Sequence, residues 1–251
     1  MQFSVVIICK NEADIIAHTL QSLKGLTDDV VVYDNGSTDT TPAIIKEYDV
    51  RFHQGIWEGF GKTKNKANAL AKYDWILSLD ADESADEELK RSLAQLEPRA
   101  DTIVYEIKFK NFLGKKFLKY GEWGRDDHIR LFNRKAVTWN DAPVHEELVL
   151  PSGSMIKRLK GAVLHQTMKD IEDYGRKMTR YAMMNAEKYH QQGKKASWFK
   201  LRLAPGFAFI QNYLLRLGFL DGHAGYVCAK MTAYYTFLKY ARLRELWNHR
   251  T

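Results

Sequence analysis

Two aspartates one residue apart are the residues of this sequence whose spacing most clearly fits a chemical role. Asp80 and Asp82 directly follow residues 75–79, a short apolar run of strand length. In an open α/β sheet, the last residues of a central strand face the ligand crevice at the carboxyl edge. Two carboxylates there could share one divalent cation, whose open positions would accept diphosphate oxygens. The alternative is a strand end followed by an acidic helix start that Ser84 caps.

Polar residues also follow two earlier runs that have the composition of buried strands. Asn11 and Glu12 come after Ser4–Cys9, and Asp34 comes after residues 30–33. Because the carboxyl ends of neighbouring parallel strands meet at one edge, these side chains are expected to converge with the Asp-x-Asp pair. One acidic strand end is as often a turn former as a ligand, whereas three successive ones favour a ligand site.

The elements that would position these side chains alternate between strand and helix over the first eighty residues or so. Asn11 is the expected N-cap of the first helix, and Pro42 fits the first turn of the second. A third short strand is expected at residues 50–53, followed by a helix at 62–71. This order predicts an α/β fold with an open, mostly parallel sheet.

The pattern changes after Pro98, where longer strands and then helices are expected. The alternating later segments predict added, partly antiparallel strands. We expect an α/β domain at residues 1–168 and a helical extension at residues 169–251. The later elements expected are strands at 102–109 and 128–132, a loop and a strand within 142–150, and helices at Ile171–Gln191, 198–217 (bent at Pro205) and 225–246.

Several classes of protein are disfavoured by what the sequence lacks. No Gly-x-Gly-x-x-Gly follows the first strand and no Gly-Lys-Ser/Thr is present, which argues against a dinucleotide oxidoreductase and a P-loop enzyme. No apolar run reaches the roughly 18 residues that span a bilayer. Cys9 and Cys228 lie far apart, as suits a reducing compartment, so a cytoplasmic location is expected.

Charge is unevenly distributed along the chain and points to a polyanionic partner. Residues 1–152 contain 20 Lys and Arg against 25 Asp and Glu, whereas residues 153–251 contain 18 against 6, a net charge of +12. This suits a phospholipid membrane or a phosphorylated glycolipid, although basic helices can also be simply soluble. No nucleic-acid motif is recognisable, so nucleic acid is not expected as a partner. Arg125 and Arg130 could bind a donor or acceptor phosphate as bidentate donors.

The motifs at the three strand ends resemble, in order, those of the family-two glycosyltransferases. They read Ser4-Val5-Val6-Ile7-Ile8-Cys9-Lys10-Asn11-Glu12, Val32-Tyr33-Asp34-Asn35-Gly36-Ser37-Thr38-Asp39 and Leu79-Asp80-Ala81-Asp82-Glu83. The resemblance implies the GT-A fold, a Rossmann-like, mostly parallel sheet with added antiparallel strands and, here, a C-terminal helical extension. Later stretches are similar to the lipopolysaccharide-core β-glucosyltransferase branch, namely Ile129-Arg130-Leu131-Phe132, Ala142-Pro143-Val144-His145-Glu146 and Tyr213-Leu214-Leu215-Arg216-Leu217-Gly218-Phe219-Leu220-Asp221-Gly222.

The resemblance implies that several of these residues bind the nucleotide of a nucleotide-sugar donor such as UDP-glucose. Asp34 would accept a hydrogen bond from the uracil ring, with Asn11 and Glu12 near the base and ribose. Lys64 and Asn65 stand where the family usually has Arg-Asn near the nucleotide. The change to Lys keeps the charge but loses the planar fork of donors.

The same resemblance implies a metal site and a catalytic base. Asp80 would lie beside the ribose and the metal, Asp82 would ligate Mg²⁺ or Mn²⁺, and His165 would complete the site. A lone histidine at a strand end is otherwise more often a satisfied polar residue. Glu146 is the implied base, with His145 as the neighbour that could tune or replace it. Without the family context, Glu146 would equally suit a solvated acidic loop.

The C-terminal helices combine an apolar band with basic residues. Lys200, Arg202 and Arg216 flank the band, a composition typical of helices that lie in a membrane interface. The alternative is packing on the catalytic domain or on a second subunit, as a homo-oligomer would require. The band contains Phe199, Leu203, Phe207, Ile210, Leu214, Leu217 and Phe219 and continues through Tyr226, Tyr234, Tyr235, Phe237 and Tyr240.

The predicted function is therefore metal-dependent, inverting transfer of a hexose onto a lipopolysaccharide-core sugar or another glycolipid. The enzyme is expected to be peripheral at the inner face of the cell membrane, attracted by its anionic surface. One alternative is a polyprenyl-phosphate glycosyltransferase, whose phosphate acceptor needs no strong base. The other is a non-catalytic protein that binds a sugar nucleotide or a membrane.

Overall fold

The computed structural model describes residues 1–97, 100–141 and 146–248. The chain forms two compact units. The first comprises Met1–Phe109 and Asp127–His165, and the second comprises Lys110–Asp126 and Gln166–Thr251. The segment Lys110–Asp126 therefore belongs to the same unit as the C-terminal helices. Each unit is built from two separate stretches of the chain, so no single position divides the sequence into the two units.

The regular elements follow the predicted order. The strands are β1 (Ser4–Cys9), β2 (Val30–Asp34), β3 (Arg51–Gln54), β4 (Trp75–Asp80), β5 (Glu83–Ala85), β6 (Ile103–Leu113), β7 (Lys116–Phe117), β8 (Asp127–Asn133), β9 (Thr138–Trp139), β10 (Leu148–Val149) and β11 (Met155–Met168). The helices are α1 (Ile16–Ser22), α2 (Thr41–Ile45), α3 (Phe60–Ala69), α4 (Glu87–Ala94), α5 (Ile171–Gln191), α6 (Trp198–Ile210) and α7 (His223–Asn248). A π-helical turn (Gln211–Leu215) and a 3₁₀ turn (Gly218–Asp221) lie between α6 and α7.

The sheet has a parallel part and an antiparallel part, as the sequence predicts. Its strand order is β3-β2-β1-β4-β8-β6-β11-β5. The pairs among β3, β2, β1 and β4 are parallel, whereas β8 pairs antiparallel with both β4 and β6. Every residue of β1 and β2 is buried, which is why these strands read as continuous apolar runs without alternation. The predicted α/β sheet with added antiparallel strands is therefore confirmed.

Two local predictions, and the alternative in which Ser84 caps a helix, were wrong. Asn11 does not cap α1; it has a left-handed φ of 56°, and α1 begins at Ile16. Asn11 instead binds the next loop, where its side-chain oxygen accepts a hydrogen bond from the Thr38 amide at 2.8 Å. Ser84 lies in β5, and Asp86 caps α4 by accepting from the Leu89 amide at 2.9 Å. The helix predicted at 198–217 ends at Ile210 and passes into a π turn.

The second unit is built on its long helices and a small core. Leu118, Met168, Tyr174 and Cys228 form that core, and Trp123 Nε1 donates to the Tyr174 hydroxyl at 3.1 Å. Burial of the Cys228 thiol raises its pKa to about 12. In the described residues, no helix combines the length and apolar character needed to cross a bilayer.

Asp29 joins four segments of the first unit. Its buried carboxylate accepts hydrogen bonds from the Ser4 hydroxyl, from the Lys72 backbone amide at 2.7 Å and from Arg51 Nε at 2.8 Å. Burial alone would raise the pKa of Asp29, but these donors and the charge of Arg51 outweigh burial and lower it. The carboxylate therefore stabilises the fold above its unfolded pKa, and this contribution is lost as the pH falls through the folded value.

Replacement of Asp29 by Asn is expected to lower the free energy of unfolding by about 3 kcal/mol at neutral pH, since buried hydrogen bonds to a charged acceptor are lost. The difference from wild type should shrink in acid, where the wild-type carboxyl is protonated as well. Urea denaturation across a pH series measures both effects. Asp28→Asn is the matched control, because the Asp28 side chain is 61% exposed in its ion pair with Lys72. Equal losses in the two variants would contradict the prediction.

Candidate active site

The carboxyl edge of the parallel strands places two of the predicted acidic residues on either side of one central strand. Asp34 ends β2 and is in register with Cys9 of β1. Asp80 ends β4 and is in register with Ile8 of β1. Both carboxylates are therefore on strands that flank β1, at the edge where open α/β sheets bind ligands.

Asp34 is fully buried, and local donors occupy its carboxylate. It accepts hydrogen bonds from the Ser37 backbone amide at 3.1 Å and from Gln54 Nε2 at 3.3 Å, and the Ser37 hydroxyl also donates to it. The backbone amides of Asn11 and Glu12 donate to the hydroxyls of Ser37 and Thr41, each at 2.8 Å. The loops after β1 and β2 are thus tied together, and nucleotide contacts by Asn11, Glu12 and Asp34 remain predictions.

Lys64 connects Asp80 to the predicted base. Its ammonium nitrogen lies 3.2 Å from Asp80 Oδ1 and 3.0 Å from Glu146 Oε1, and its side chain is only 5% exposed. The same nitrogen lies over the Trp139 ring, 4.6 Å from the ring centroid. A nearly buried ammonium needs such partners to offset its lost hydration. One cation therefore holds together two carboxylates that are far apart in sequence.

Helix α3 also contacts the hairpin formed by β9 and β10. Strand β9 precedes Glu146 in the sequence, and β10 follows it. Asn65 Nδ2 donates to the Trp139 carbonyl at 2.8 Å, and the Trp139 amide donates to Asn65 Oδ1 at 3.0 Å. A Cβ atom on Gly61 would lie 1.8 Å from the Asn140 carbonyl oxygen, so only glycine permits this approach. In this structure Asn65 supports the backbone of the hairpin; its predicted contact with the nucleotide remains untested.

Arg130 forms a second cationic centre beneath Asp80. Its Nη2 atom lies 3.2 Å from Asp80 Oδ2 and donates to the buried Glu83 carboxylate. The Asp80 backbone amide donates to the other Glu83 oxygen at 2.9 Å. The guanidinium also packs 5.0 Å from the centroid of the Phe109 ring. Arg130 is thus an internal counter-ion of two carboxylates, and phosphate binding by it remains a prediction.

The two carboxyls that share Arg130 differ in their titration. Burial would raise the pKa of Asp80, but the charges of Lys64 and Arg130 outweigh burial and hold that pKa well below its usual range. Burial raises the pKa of Glu83 to about 7, because the loss of hydration and the charge of Asp80 outweigh the attraction of Arg130. Asp80 is therefore ionised at neutral pH, whereas Glu83 is poised near its titration point.

Asp82, which directly precedes β5, forms a pair with His165 of β11. Asp82 Oδ2 lies 3.4 Å from His165 Nε2, and both side chains are about one fifth exposed. Burial disfavours the charged imidazole, but the hydrogen bond and charge of Asp82 outweigh burial and raise the pKa of His165. The predicted metal ligands Asp82 and His165 are thus neighbours, whereas both oxygens of Asp80 contact cationic side chains.

The pair of Asp82 and His165 fits a divalent cation as a partial ligand set. A carboxylate oxygen and an imidazole nitrogen are accepted ligands of Mn²⁺, and Mg²⁺ takes one or two carboxylates with substrate phosphates and water. Within the described ranges, no group of three or more His, Cys, Asp and Glu side chains is placed to hold a metal ion. A bound cation would therefore take most of its ligands from a diphosphate and from water.

A cavity of about 410 Å³ in the first unit adjoins these groups. Lys64, Asp80, Arg130, Trp139 and Glu146 contribute to its lining. The volume lies in the range of small-molecule sites, and the lining combines charged groups with an aromatic face. The cavity brings together the predicted base, the strand-end carboxylate and two cations.

Two predicted site residues are not among the described residues of the first unit. Arg125 is exposed and lies in the second unit, within Lys110–Asp126. His145 lies outside the described residues. Glu83 and Trp139 are contributors to the site that the sequence analysis did not assign. For Glu83 the available signal was its position three residues after Asp80, where its carboxylate can accept a hydrogen bond from the Asp80 backbone amide.

Comparisons with known proteins agree with this architecture. The model of glycosyl transferase family 2 matches residues 4–111. An uncharacterized glycosyltransferase of Rickettsia typhi is 30% identical over 257 residues, covering 98% of this chain and 87% of the relative. The lipopolysaccharide core biosynthesis glycosyltransferase LpsC of Rhizobium meliloti is 26% identical over 255 residues, covering 98% and 93%.

A solved structure also shares the fold. The crystal structure of S. aureus TarS 1–349 in complex with UDP aligns with a TM-score of 0.50 at 17% identity, covering 100% of this chain and 92% of that one. The sheet and its acidic strand ends define a GT-A glycosyltransferase. The chain belongs to glycosyltransferase family 2, as its motifs predict.

Proposed function

We propose that this glycosyltransferase is metal-dependent and inverting, and that it transfers a hexose, glucose from UDP-glucose, to a lipopolysaccharide-core sugar or related glycolipid. The observation that carries the proposal is the Lys64 bridge, which holds Glu146 and Asp80 in one cavity at 3.0 and 3.2 Å from a single nitrogen. A base and a donor-side carboxylate must be this close if the acceptor hydroxyl is to reach the sugar of a bound nucleotide.

In the proposed reaction Glu146 accepts the proton of the acceptor hydroxyl. The hydroxyl oxygen forms a bond to the anomeric carbon as the bond from that carbon to the diphosphate oxygen breaks on the opposite face, which inverts the configuration. A divalent cation held by Asp82 and His165 would neutralise charge on the leaving nucleoside diphosphate. The Lys64 ammonium holds the Glu146 carboxylate toward the cavity until an acceptor arrives.

The proposed acceptor class has two supports. The relative from Rhizobium meliloti is named for lipopolysaccharide core biosynthesis and matches almost the whole chain. The basic C-terminal part, with a net charge of +12 after residue 152, fits a phosphorylated, membrane-borne acceptor at the inner face of the cell membrane. The two supports are independent, since one rests on sequence similarity and the other on charge.

Calorimetric titration of UDP, first with Mn²⁺ and then with EDTA, tests the nucleotide and metal parts of the proposal. Metal-dependent binding is the expected result. Absence of binding under both conditions would remove the proposed donor. A screen of nucleotide sugars against lipopolysaccharide-core acceptors and polyprenyl phosphate then tests the substrates, and transfer to polyprenyl phosphate alone would favour the alternative enzyme class.

Replacement of Asp82 by Ala is expected to abolish transfer and metal-dependent binding of UDP. Asp82 is the carboxylate of the proposed ligand pair, so its removal would leave His165 alone and deprive the cation of the charged ligand of that pair. Calorimetry and a transfer assay measure the two losses. Asp28→Ala is a suitable control, because the Asp28 side chain is 61% exposed in its ion pair with Lys72. Wild-type turnover by the Asp82 variant would exclude this metal assignment.

A further inference from the structure

Helix α6 has an unusual surface for a helix of a folded unit. It has thirteen residues, all within the described part of the chain, and none of them is buried there. Phe199, Leu203 and Phe207 are 67%, 66% and 61% exposed. A helix of a globular protein normally hides its apolar stripe against a core. The apolar face of α6 therefore lacks a cover within the described structure.

The exposed residues form one continuous stripe. Positions 199, 203, 207, 210 and 214 are spaced by three or four residues and so lie along one side of a helix. Ile210 is 47% exposed, and Leu214 in the following π turn is 50% exposed. Leu220 of the 3₁₀ turn is exposed as well. An exposed apolar stripe of this extent marks an interaction surface rather than ordinary surface variation.

The charges around the stripe favour an anionic partner. The only charged residues in α6 are Lys200 and Arg202, and Lys195 precedes the helix. The Arg202 guanidinium lies over the exposed Trp198 ring, 4.3 Å from its centroid. An apolar groove of about 480 Å³ beside Phe199 and Leu203 is lined by Lys195 and Lys200. A tryptophan with cationic neighbours at the edge of an apolar stripe is the pattern of interfacial helices.

These features favour a bilayer surface over a second copy of the chain. A symmetric dimer through this face would place the same stripe, with the same cations, against itself. An anionic leaflet instead offers acyl chains to the stripe and phosphates to the cations. The helix is about 20 Å long, which is too short to cross the hydrocarbon core, so it must lie in the membrane plane.

We propose that α6 and the turns that follow it form a membrane-docking surface that inserts the stripe at 199, 203, 207, 210 and 214 into the headgroup region of an anionic bilayer. Lys195, Lys200 and Arg202 would contact lipid phosphates. This assignment goes beyond the proposed reaction, and its test does not require transferase activity.

Sedimentation with lipid vesicles tests the proposal on the full-length protein. We expect binding to phosphatidylglycerol–phosphatidylcholine vesicles to exceed binding to phosphatidylcholine vesicles, and the excess to fall as salt screens the cations. Phe199→Ser combined with Phe207→Ser should weaken binding more than about tenfold, since two apolar side chains no longer enter the bilayer. Both positions are exposed, so folding should be preserved.

A matched control uses the other unit. Met155 and Ile156 are each 55% exposed on β11, and replacing both by Ser should leave vesicle binding unchanged. Equal loss in the two double variants, or no binding by the wild type to anionic vesicles, would overturn the proposal. A wild-type dimer that the Phe199 and Phe207 changes convert to a monomer, without any lipid binding, would assign the stripe to a second copy instead.

A fluorescent probe gives an independent readout of insertion. The native cysteines Cys9 and Cys228 are each 4% exposed, so a cysteine introduced by Leu203→Cys should label selectively. The probe should shift to the blue and be quenched by brominated acyl chains when anionic vesicles are added. A probe on exposed Glu187 of α5, introduced by Glu187→Cys, should not respond. A response of equal size at both positions would contradict the proposed orientation.

Discussion

Replacement of Glu146 by Gln is expected to lower kcat by about 10²–10⁴-fold, the usual contribution of a general base. Glutamine keeps the size of the side chain, and its amide oxygen can still accept a hydrogen bond from Lys64, which lies 3.0 Å from Glu146 in the wild type. The amide cannot accept the acceptor proton. UDP binding should be unchanged, because Asp34, Asp80 and Asp82 are untouched. Single-turnover transfer and calorimetry separate the two effects.

The neighbouring carboxylate provides a matched control for this experiment. Glu147 lines the same cavity, and its backbone amide donates to Asn140 Oδ1 at 3.2 Å, so Glu147→Gln changes the charge at the cavity while the ion pair of Lys64 with Glu146 is kept. It should retain wild-type kcat. Full activity in the Glu146 variant with a hydroxyl acceptor would refute the base assignment. Retained activity with polyprenyl phosphate only would indicate an acceptor that needs no base.

Replacement of Arg130 by Met is expected to lower the free energy of unfolding by about 3–5 kcal/mol at neutral pH, the usual result of removing one partner from a buried ion pair. Glu83 is 1% exposed and would lose its cation, while Asp80 would keep only Lys64. Methionine fills most of the arginine volume, so the loss is chiefly electrostatic. Urea denaturation at several pH values measures it.

The pH dependence identifies the cause of this loss. Without Arg130 the Glu83 carboxyl should be harder to ionise, so its folded pKa, already raised to about 7, should rise further. Because the pKa of Glu83 is raised in the folded state, that state binds the proton more tightly than the unfolded state, in which the pKa of Glu is about 4.3. The deficit relative to wild type should therefore be largest above neutral pH, where Glu83 of the wild type is ionised, and shrink as the pH falls below about 7, where Glu83 is protonated in both folded proteins. A deficit independent of pH would indicate lost packing instead.

An exposed arginine serves as the control for the Arg130 variant. Arg158 is 55% exposed and pairs with Asp127 at the sheet surface. Arg158→Met removes the same charge from a solvated ion pair, and exposed ion pairs contribute little to stability. Its unfolding curve should stay close to that of the wild type at every pH. If Arg158→Met lowered the free energy of unfolding as much as Arg130→Met does, burial of the ion pair would not explain the effect of the Arg130 change.

Much of the fold could be predicted because it depends on local patterns. The buried strands β1, β2 and β4 are mostly apolar, and a polar residue ends or directly follows each of them. The N-cap assignment of Asn11 failed because the choice was not local. Asn11 can cap a helix, but Ser37 and Thr38, which follow the next strand, bind it in a left-handed conformation. Tertiary hydrogen bonds overrode the local preference.

The candidate site was only half predictable for the same reason. The strand topology places Asp34 and Asp80 at one edge, so their convergence follows from order alone. The contact of Lys64 with Glu146 joins positions 82 residues apart. No spacing rule encodes it, and it depends on the approach that Gly61 permits. The burial of Glu83 likewise depends on antiparallel pairing of β5 with β11, where Glu83 is opposite His165.

The partners of Asp29 also bear on how the chain folds. Its donors come from positions 25, 22 and 43 residues away, so the carboxylate is not satisfied until several loops have closed. Contacts between residues far apart in sequence form late in folding, because the chain must first lose the entropy of closing the loops between them. Loss of the Asp29 carboxylate should accordingly raise the unfolding rate more than it lowers the folding rate. Asp29 would thus slow the unfolding of the completed sheet.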